Sequence, residues 1–410
     1  SAAEPAAAAE PPATPAVSVP DPSATPTLFG HPLRINSFGT IGLARHDVAG
    51  DQLRAAVTSP SGIGSHWTGA YDSRVGLQLG TELATGVDLT WQGLLHRRDN
   101  GDTGIDSHWA FIGWQPTPSW ELRAGRFQSP LYLASDQYQV GLAQPWVRPP
   151  HEVYGLIGNV NSLDGLWLRR RVALGDETLL VDAYAAAHHE NRGSFAVDHE
   201  PLVGLSLGLR SSGWLAHATL AQGRTRIRVD PSDPLVAVLA LLGNPALGGD
   251  PAAVADYDLR RIDRLRFASV GLRWDASPWL AMAELAQVRS ASRAFPGATG
   301  AYLTLGRSWE PVTLYGTLAW LRGAAPAAES RFSGLSAQLV DAFIQSERES
   351  GQTTAGVGLR WDLRSGLALK AQVDHIRPRG PGRGGLFLNG QLPDGRTSAQ
   401  LYSVALDWAY

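Results

Sequence analysis

From about Leu33 to Tyr410 the chain repeats one pattern: segments of roughly ten residues in which apolar and polar side chains alternate. At the end of the chain Tyr402, Val404, Leu406, Trp408 and Tyr410 fall on one face, with Ser403, Ala405, Asp407 and Ala409 on the other. Earlier, Val75, Leu77 and Leu79 oppose Arg74, Gly76, Gln78 and Gly80, and Val203, Leu205, Leu207 and Leu209 oppose Gly204, Ser206, Gly208 and Arg210. Val357, Leu359 and Trp361 oppose Gly356, Gly358 and Arg360, and Leu367, Leu369, Ala371 and Val373 oppose Lys370, Gln372 and Asp374. A period of two belongs to extended strands with one apolar and one wet face. Segments 105–114, 162–172 and 214–226 have mixed parity, which leaves their faces unassigned.

The connections switch strictly between short and long. The short ones are 84–86, 115–119, 173–177, 211–213, 275–278, 310–311 and 364–366, all built from residues that favour tight turns. The long side holds 45–72, 100–104, 128–161, 191–201, 227–264, 292–299, 322–352 and 377–398. Together they predict 16 strands: 33–44, 73–83, 87–99, 105–114, 120–127, 162–172, 178–190, 202–210, 214–226, 265–274, 279–291, 300–309, 312–321, 353–363, 367–376 and 399–410. The fold class this implies is all-β, a transmembrane antiparallel up-and-down β-barrel of about 16 strands. In hydrocarbon every backbone N–H and C=O must be paired within the protein, and a sheet achieves this only by closing on itself. An even strand count puts both termini on the short-turn side, expected to be periplasmic.

Composition sharpens this picture. Apolar residues are 44% of the 410 and charged residues only 18%, yet no apolar run approaches the 18 residues of a membrane helix. The longest such run is Leu235 to Leu242. A soluble sandwich or propeller would also alternate, but it would place charge on its outer faces. Eight tryptophans (114, 120, 214, 274, 279, 309, 361 and 408) gather beside the short turns, as an aromatic girdle at a membrane interface would. Residues 1–27 are almost all Ala, Pro, Ser, Thr and Glu and are expected to form a disordered periplasmic tail, leaving 28–410 as the barrel domain. The start, Ser1-Ala2-Ala3-Glu4, reads as an end left by removal of a signal peptide. With no cysteine and a net charge of −3, disulfides, thiolate metal sites and nucleic-acid partners are not expected.

The 16-strand layout and the terminal strand Tyr402-Ser403-Val404-Ala405-Leu406-Asp407-Trp408-Ala409-Tyr410 resemble the Gram-negative outer-membrane porins over about 33–410. The resemblance implies a water-filled channel for passive diffusion of small hydrophilic solutes and ions, in contact with outer-membrane lipid and lipopolysaccharide. It further implies that Tyr402, Val404, Leu406, Trp408 and Tyr410 form an assembly signal read by the barrel-insertion machinery. In porins the third outer loop narrows the pore, and here 128–161 contains the rigid, aromatic and charged stretch 144–155. The second outer connection, 100–104, is shorter than the latching loop of trimeric general porins, and their Pro-Glu-Phe-Gly-Gly pattern is absent. Subfamily and the choice between monomer and homotrimer therefore stay open.

If the apolar faces look outward, the lumen receives Arg74, Glu82, Asp88, Arg123, Asp182, Arg210, Arg273, Glu284, Arg360, Lys370 and Asp374. Low-dielectric walls strengthen charges of both signs around a narrow aqueous path. The expected constriction sets the loop groups Asp136, Arg148 and Glu152 against arginines of the wall. Asp233-Pro234 predicts a helix start in one outer loop, and Leu335, Leu339 and Phe343 predict a helical face packed on the crown of another. The last loop, with Arg377, Arg379, Arg383 and Arg396, could meet lipopolysaccharide phosphates. Catalysis has little support. Gly204-Leu205-Ser206-Leu207-Gly208 matches a nucleophile-elbow pattern but lies within an alternating strand. His188-His189-Glu190 lacks further metal ligands, and no cofactor is implied. The alternative to a channel is a binding or scaffold barrel with a plugged or narrow lumen.

Overall fold

A computed structural model describes residues 26–54, 59, 61–98, 101–158, 160–191, 195–348, 350–379, 386–387 and 392–410. The proposed tail, apart from its last two residues, and Arg383 lie outside that set. Sixteen antiparallel strands close into one barrel. They are β1 (Arg34–His46), β2 (Arg74–Ala84), β3 (Val87–Arg97), β4 (Thr103–Thr117), β5 (Trp120–Gln128), β6 (Ser162–Leu174), β7 (Glu177–Asn191) and β8 (Phe195–Arg210), followed by β9 (Trp214–Val229), β10 (Arg261–Ala276), β11 (Trp279–Ser290), β12 (Gly297–Trp309), β13 (Val312–Gly323), β14 (Gly351–Arg364), β15 (Leu367–Arg379) and β16 (Ala399–Ala409). Each strand pairs with its neighbours in sequence. The ring closes where β16 meets β1, in a ladder from Leu401↔His46 to Ala409↔Phe38, extended by the reciprocal backbone bonds of Ser37 and Tyr410. The all-β up-and-down barrel expected from the pattern is the fold observed.

The outward face is apolar across the middle of the strands. On β10 it carries Val270 and Leu272 between Trp274 and Arg266. From Trp274 to Arg266, at ~3.3 Å per residue and a tilt of about 40°, the band is roughly 20 Å tall, close to that of membrane barrels. Trp114, Trp120, Trp274, Trp279, Trp309 and Trp361 stand exposed beside the short turns. Tyr402, Val404, Leu406 and Trp408 share the outward face of β16.

Two differences from the sequence pattern have physical causes. β8 begins at Phe195, not near 202, because a register shift between His199 and Leu202 absorbs Pro201, which has no N–H for the ladder. On β4 a bulge opposite Gln92 and Gly93 reverses the parity, so Trp109 pairs with Gln92 but Ser107 with Gly93.

Two long loops form a crown above one rim. Asp233 caps α2 (Pro234–Leu242) by accepting from the Leu235 N–H. With α3 (Pro251–Val254) and α4 (Gly334–Arg348) it builds a small core of Leu239, Leu242, Tyr257, Phe332, Val340 and Ile344. Of the face expected to pack, Phe343 does pack against this core, but Leu335 and Leu339 are exposed. The buried face is Ser336, Val340 and Ile344, whose serine hides the stripe from a hydrophobicity pattern. Arg331 pairs with Asp256 and Glu329 at 2.7 Å each, and Arg293 lies 3.2 Å from Glu329.

The hydrogen bond from Arg331, helped by Arg293, holds the Glu329 carboxyl down at about 2. A carboxyl lowered in this way adds stability that is complete above its ordinary range and is lost as pH falls through the folded value. Residues 329–331 are therefore expected to keep their hydrogen-exchange protection to about pH 4 and to lose it only near pH 2. Loss already between about pH 5 and 4 would show that these contacts do not hold the crown.

Candidate functional site

The long connection after β5 turns into the barrel. Its base is tied by the Ser129 N–H to the Asn161 carbonyl. Prolines 130, 145, 149 and 150 limit the backbone between them, and the segment contains only single turns, including α1 (His151–Tyr154). Without strand partners of its own, its backbone is satisfied by lumen-facing side chains of the wall. Ser206 and Thr219 donate to the Pro130 carbonyl at 2.9 Å each, and Ser269 donates to that of Leu131 at 2.6 Å. Glu284 accepts from the Leu133 N–H and from the Tyr154 hydroxyl. Trp146 donates its indole N–H to Thr304, and the Val147 N–H donates to Gln372. These bonds fasten the loop to the wall from β8 to β15. Phe267, Met282, Val288 and Tyr302 of the wall pack with Leu131, Trp146, Val153 and Leu156 of the loop in one apolar core.

Close approach depends on two glycines. A Cβ on Gly300 would lie 1.8 Å from the Glu152 carbonyl oxygen, and one on Gly141 would lie 2.1 Å from Asp407 Oδ1. The only lysine, Lys370, is fully buried between β15 and the loop. Its ammonium donates to the carbonyls of Gly141 (2.7 Å) and Trp146 (3.0 Å) and lies 2.8 Å from Asp407. Asp407 also accepts from Thr40 of β1.

Strands β5 to β7, which the loop does not fasten, pair their inward charges with one another. Glu121 accepts from Arg123 at 2.8 Å and also from Arg171, and Arg169 forms a bidentate pair with Asp182. The guanidiniums of Arg123 and Arg169 lie 4.3 and 4.6 Å from the ring centre of Trp167, and Arg123 also lies 4.7 Å from that of Phe111. Asp136 of the loop is exposed. Arg74 of β2 reaches Gln139 of the loop at 3.5 Å.

The sequence-selected residues thus divide. Arg123 bonds Glu121, Arg74 reaches Gln139 of the loop and Asp136 is exposed on the loop, with no contact joining the three among the described residues. Arg210 and Arg273 stand at the short-turn mouth, where Arg273 pairs with Asp275. The expectation that Arg148 and Glu152 confront wall arginines fails. Arg148 forms a bidentate pair with Asp72 and bonds Ser403, while the buried Glu152 accepts from Gln352 and Thr354. Lys370 and Asp374 point inward but are covered by the loop, and Arg360 donates to its carbonyls at Leu142 and Gln144. These residues anchor the loop and do not line open space. Arg169, Arg171 and Trp167 escaped the sequence reading because β6 had no clear parity, whereas Glu121 shares the face of Arg123 on β5 and was legible from it. The inward face of β6 carries Leu163 and Trp167 as well as Arg169.

No protein-family model and no curated protein matches the chain. Solved structures do. The outer membrane channel DcaP of Acinetobacter baumannii superposes with a TM-score of 0.55 at 9% identity, over 92% of this chain and 97% of that one. The anion-selective porin of Comamonas acidovorans gives 0.52 at 12%, over 92% and 100%. OmpT of Vibrio cholerae, an outer membrane protein in trimer form, gives 0.53 at 10%, over 92% and 99%. At these identities the likeness is one of fold: the chain has the 16-stranded barrel found in outer-membrane porins.

Removing one partner of a buried ion pair costs about 3–5 kcal/mol, whereas replacing both by apolar groups is often neutral. Lys370→Met is expected to lower the thermal unfolding midpoint of detergent-solubilised protein markedly. Lys370→Met with Asp407→Leu should recover most of that loss. A single variant as stable as the original would contradict the clamp.

Proposed function

We propose that the chain is a passive channel of a Gram-negative outer membrane, carrying small hydrophilic solutes and ions through a path narrowed by the inward loop. The observation that carries this reading is the division of the lumen. On one side the loop packs against the wall in an apolar core, while β5 to β7 present the Arg123–Glu121 and Arg169–Asp182 pairs, and Asp136 of the loop is exposed. Charges in such a confined, low-dielectric setting bias ion passage more strongly than they would in bulk water. Nothing in this reading needs a cofactor or catalytic group. The apolar outer band and tryptophan girdle support residence in a membrane, and the porin-like fold favours the outer one, with the short turns and both termini periplasmic. Assembly as a homotrimer, the form recorded for the Vibrio protein, belongs to the same reading, as does insertion guided by the terminal strand.

Purified protein in a planar bilayer should give steady open current. In a salt gradient, Asp136→Asn should move the reversal potential toward that of the anion by several millivolts. Absence of any current would favour the plugged, binding barrel, and an unchanged reversal potential would remove Asp136 from the path.

A further inference from the structure

The outer surface carries arginines at the long-loop rim, and most have partners. Arg126 is bidentate to Asp164, Arg45 lies over Trp67 and Tyr402, and Arg97 lies over Tyr71. At the short-turn rim Arg170 stacks on Trp120, and Arg307 lies between Trp279 and Trp309. Arg266, Arg289 and Arg322, on the outward faces of β10, β11 and β13, differ. Among the described residues no carboxylate lies within ion-pair range of any of them. Arg266 donates only to the side chain of Gln222.

Arg266 and Arg289 are directly opposed across the β10–β11 ladder. Gln287 bonds Thr299, and Thr299 is in turn the ladder partner of Arg322, so the three cations run along one level of the wall. Like charges facing each other across strands repel. Below them the surface becomes hydrocarbon-like, with Leu205, Leu220, Leu303 and Leu318 exposed. An open groove of about 780 Å³ lies here, its walls including Leu205, Leu220, Gln222, Arg266, Gln287 and Arg289. It is large enough for a headgroup.

We propose that this belt is a docking site for the phosphorylated headgroup of a glycolipid of lipid A type, in the leaflet on the long-loop side. A phosphate carries nearly two negative charges and accepts two guanidinium forks, which would turn the Arg266–Arg289 repulsion into a bridge. Acyl chains would descend over Leu205 and Leu220, and the amides of Gln222 and Gln287 suit headgroup hydroxyls. A second copy docked by a two-fold contact is a poorer occupant, because it would bring the same arginines face to face. The identity of the lipid rests on the outer-membrane orientation proposed above, whereas the phosphate chemistry does not.

The test uses delipidated full-length protein in detergent, titrated with diphosphoryl lipid A, dephosphorylated lipid A and inorganic phosphate. Native mass spectrometry counts bound lipid. Diphosphoryl lipid A should bind at least tenfold more tightly than the dephosphorylated form. Arg266→Gln with Arg289→Gln should abolish that difference, and Arg322→Gln should reduce it, with single-channel conductance unchanged. Equal binding of the two lipids, or equal binding by the original and the double variant, would overturn the proposal. So would inorganic phosphate competing at equal concentration with lipid A, or variants that change only the oligomeric state. If the double variant does not fold, the comparison of the two lipids on the original protein decides. Arginine-dependent lipid binding by a barrel that passes no current would refute the channel and leave the belt standing.

Discussion

The bonding of the last strand to the first is the constraint on which the rest of the structure depends. A sixteen-stranded sheet with an apolar outer face cannot keep open edges in hydrocarbon, because each unpaired amide and carbonyl there costs several kcal/mol. Closure through β16 and β1 removes the edges, fixes the number of strands as even with hairpin connections, and sorts every side chain into one of two environments. The outward environment tolerates little charge away from the rims. The inward one must then hold the strands' polar groups, and it becomes the place where chemistry can differ from strand to strand.

That inward space is divided by a single loop. Where the loop lies against the wall, lumen side chains are consumed as fasteners: Ser206, Thr219, Ser269, Glu284, Thr304, Arg360, Lys370 and Gln372 all spend their polar atoms on its backbone or side chains. Where it does not, Glu121 pairs with Arg123 and Asp182 with Arg169. A charge pointing into the barrel can therefore serve either purpose. Which one it serves depends on the loop, not on the strand.

This explains what the sequence could and could not reveal. Strand positions were legible because period-two alternation and tight turns are local, so the expected spans agree with most observed ones to within a few residues. The tryptophan girdle was legible for the same reason. Parity failed on β4, where a bulge intervenes, and on β6 and β9, where the loop makes part of the lumen face apolar. Ala221 of β9 packs beneath that loop core while its neighbour Leu220 faces outward, so both faces look greasy. Arg148 and Glu152 were recognisable as unusual charges in a rigid loop. Their partners Asp72, Ser403, Gln352 and Thr354 lie on elements whose distance in sequence gave no hint of contact.

The account stands most directly on whether the free edge of the inward loop borders the water path. The chain has no cysteine, so a single thiol can be introduced without competing background. With Asp136→Cys in a planar bilayer, a bulky methanethiosulfonate reagent should reduce the current through each channel in discrete steps, and a reducing agent should restore it. Current that continues unchanged after complete modification of that thiol would contradict the account.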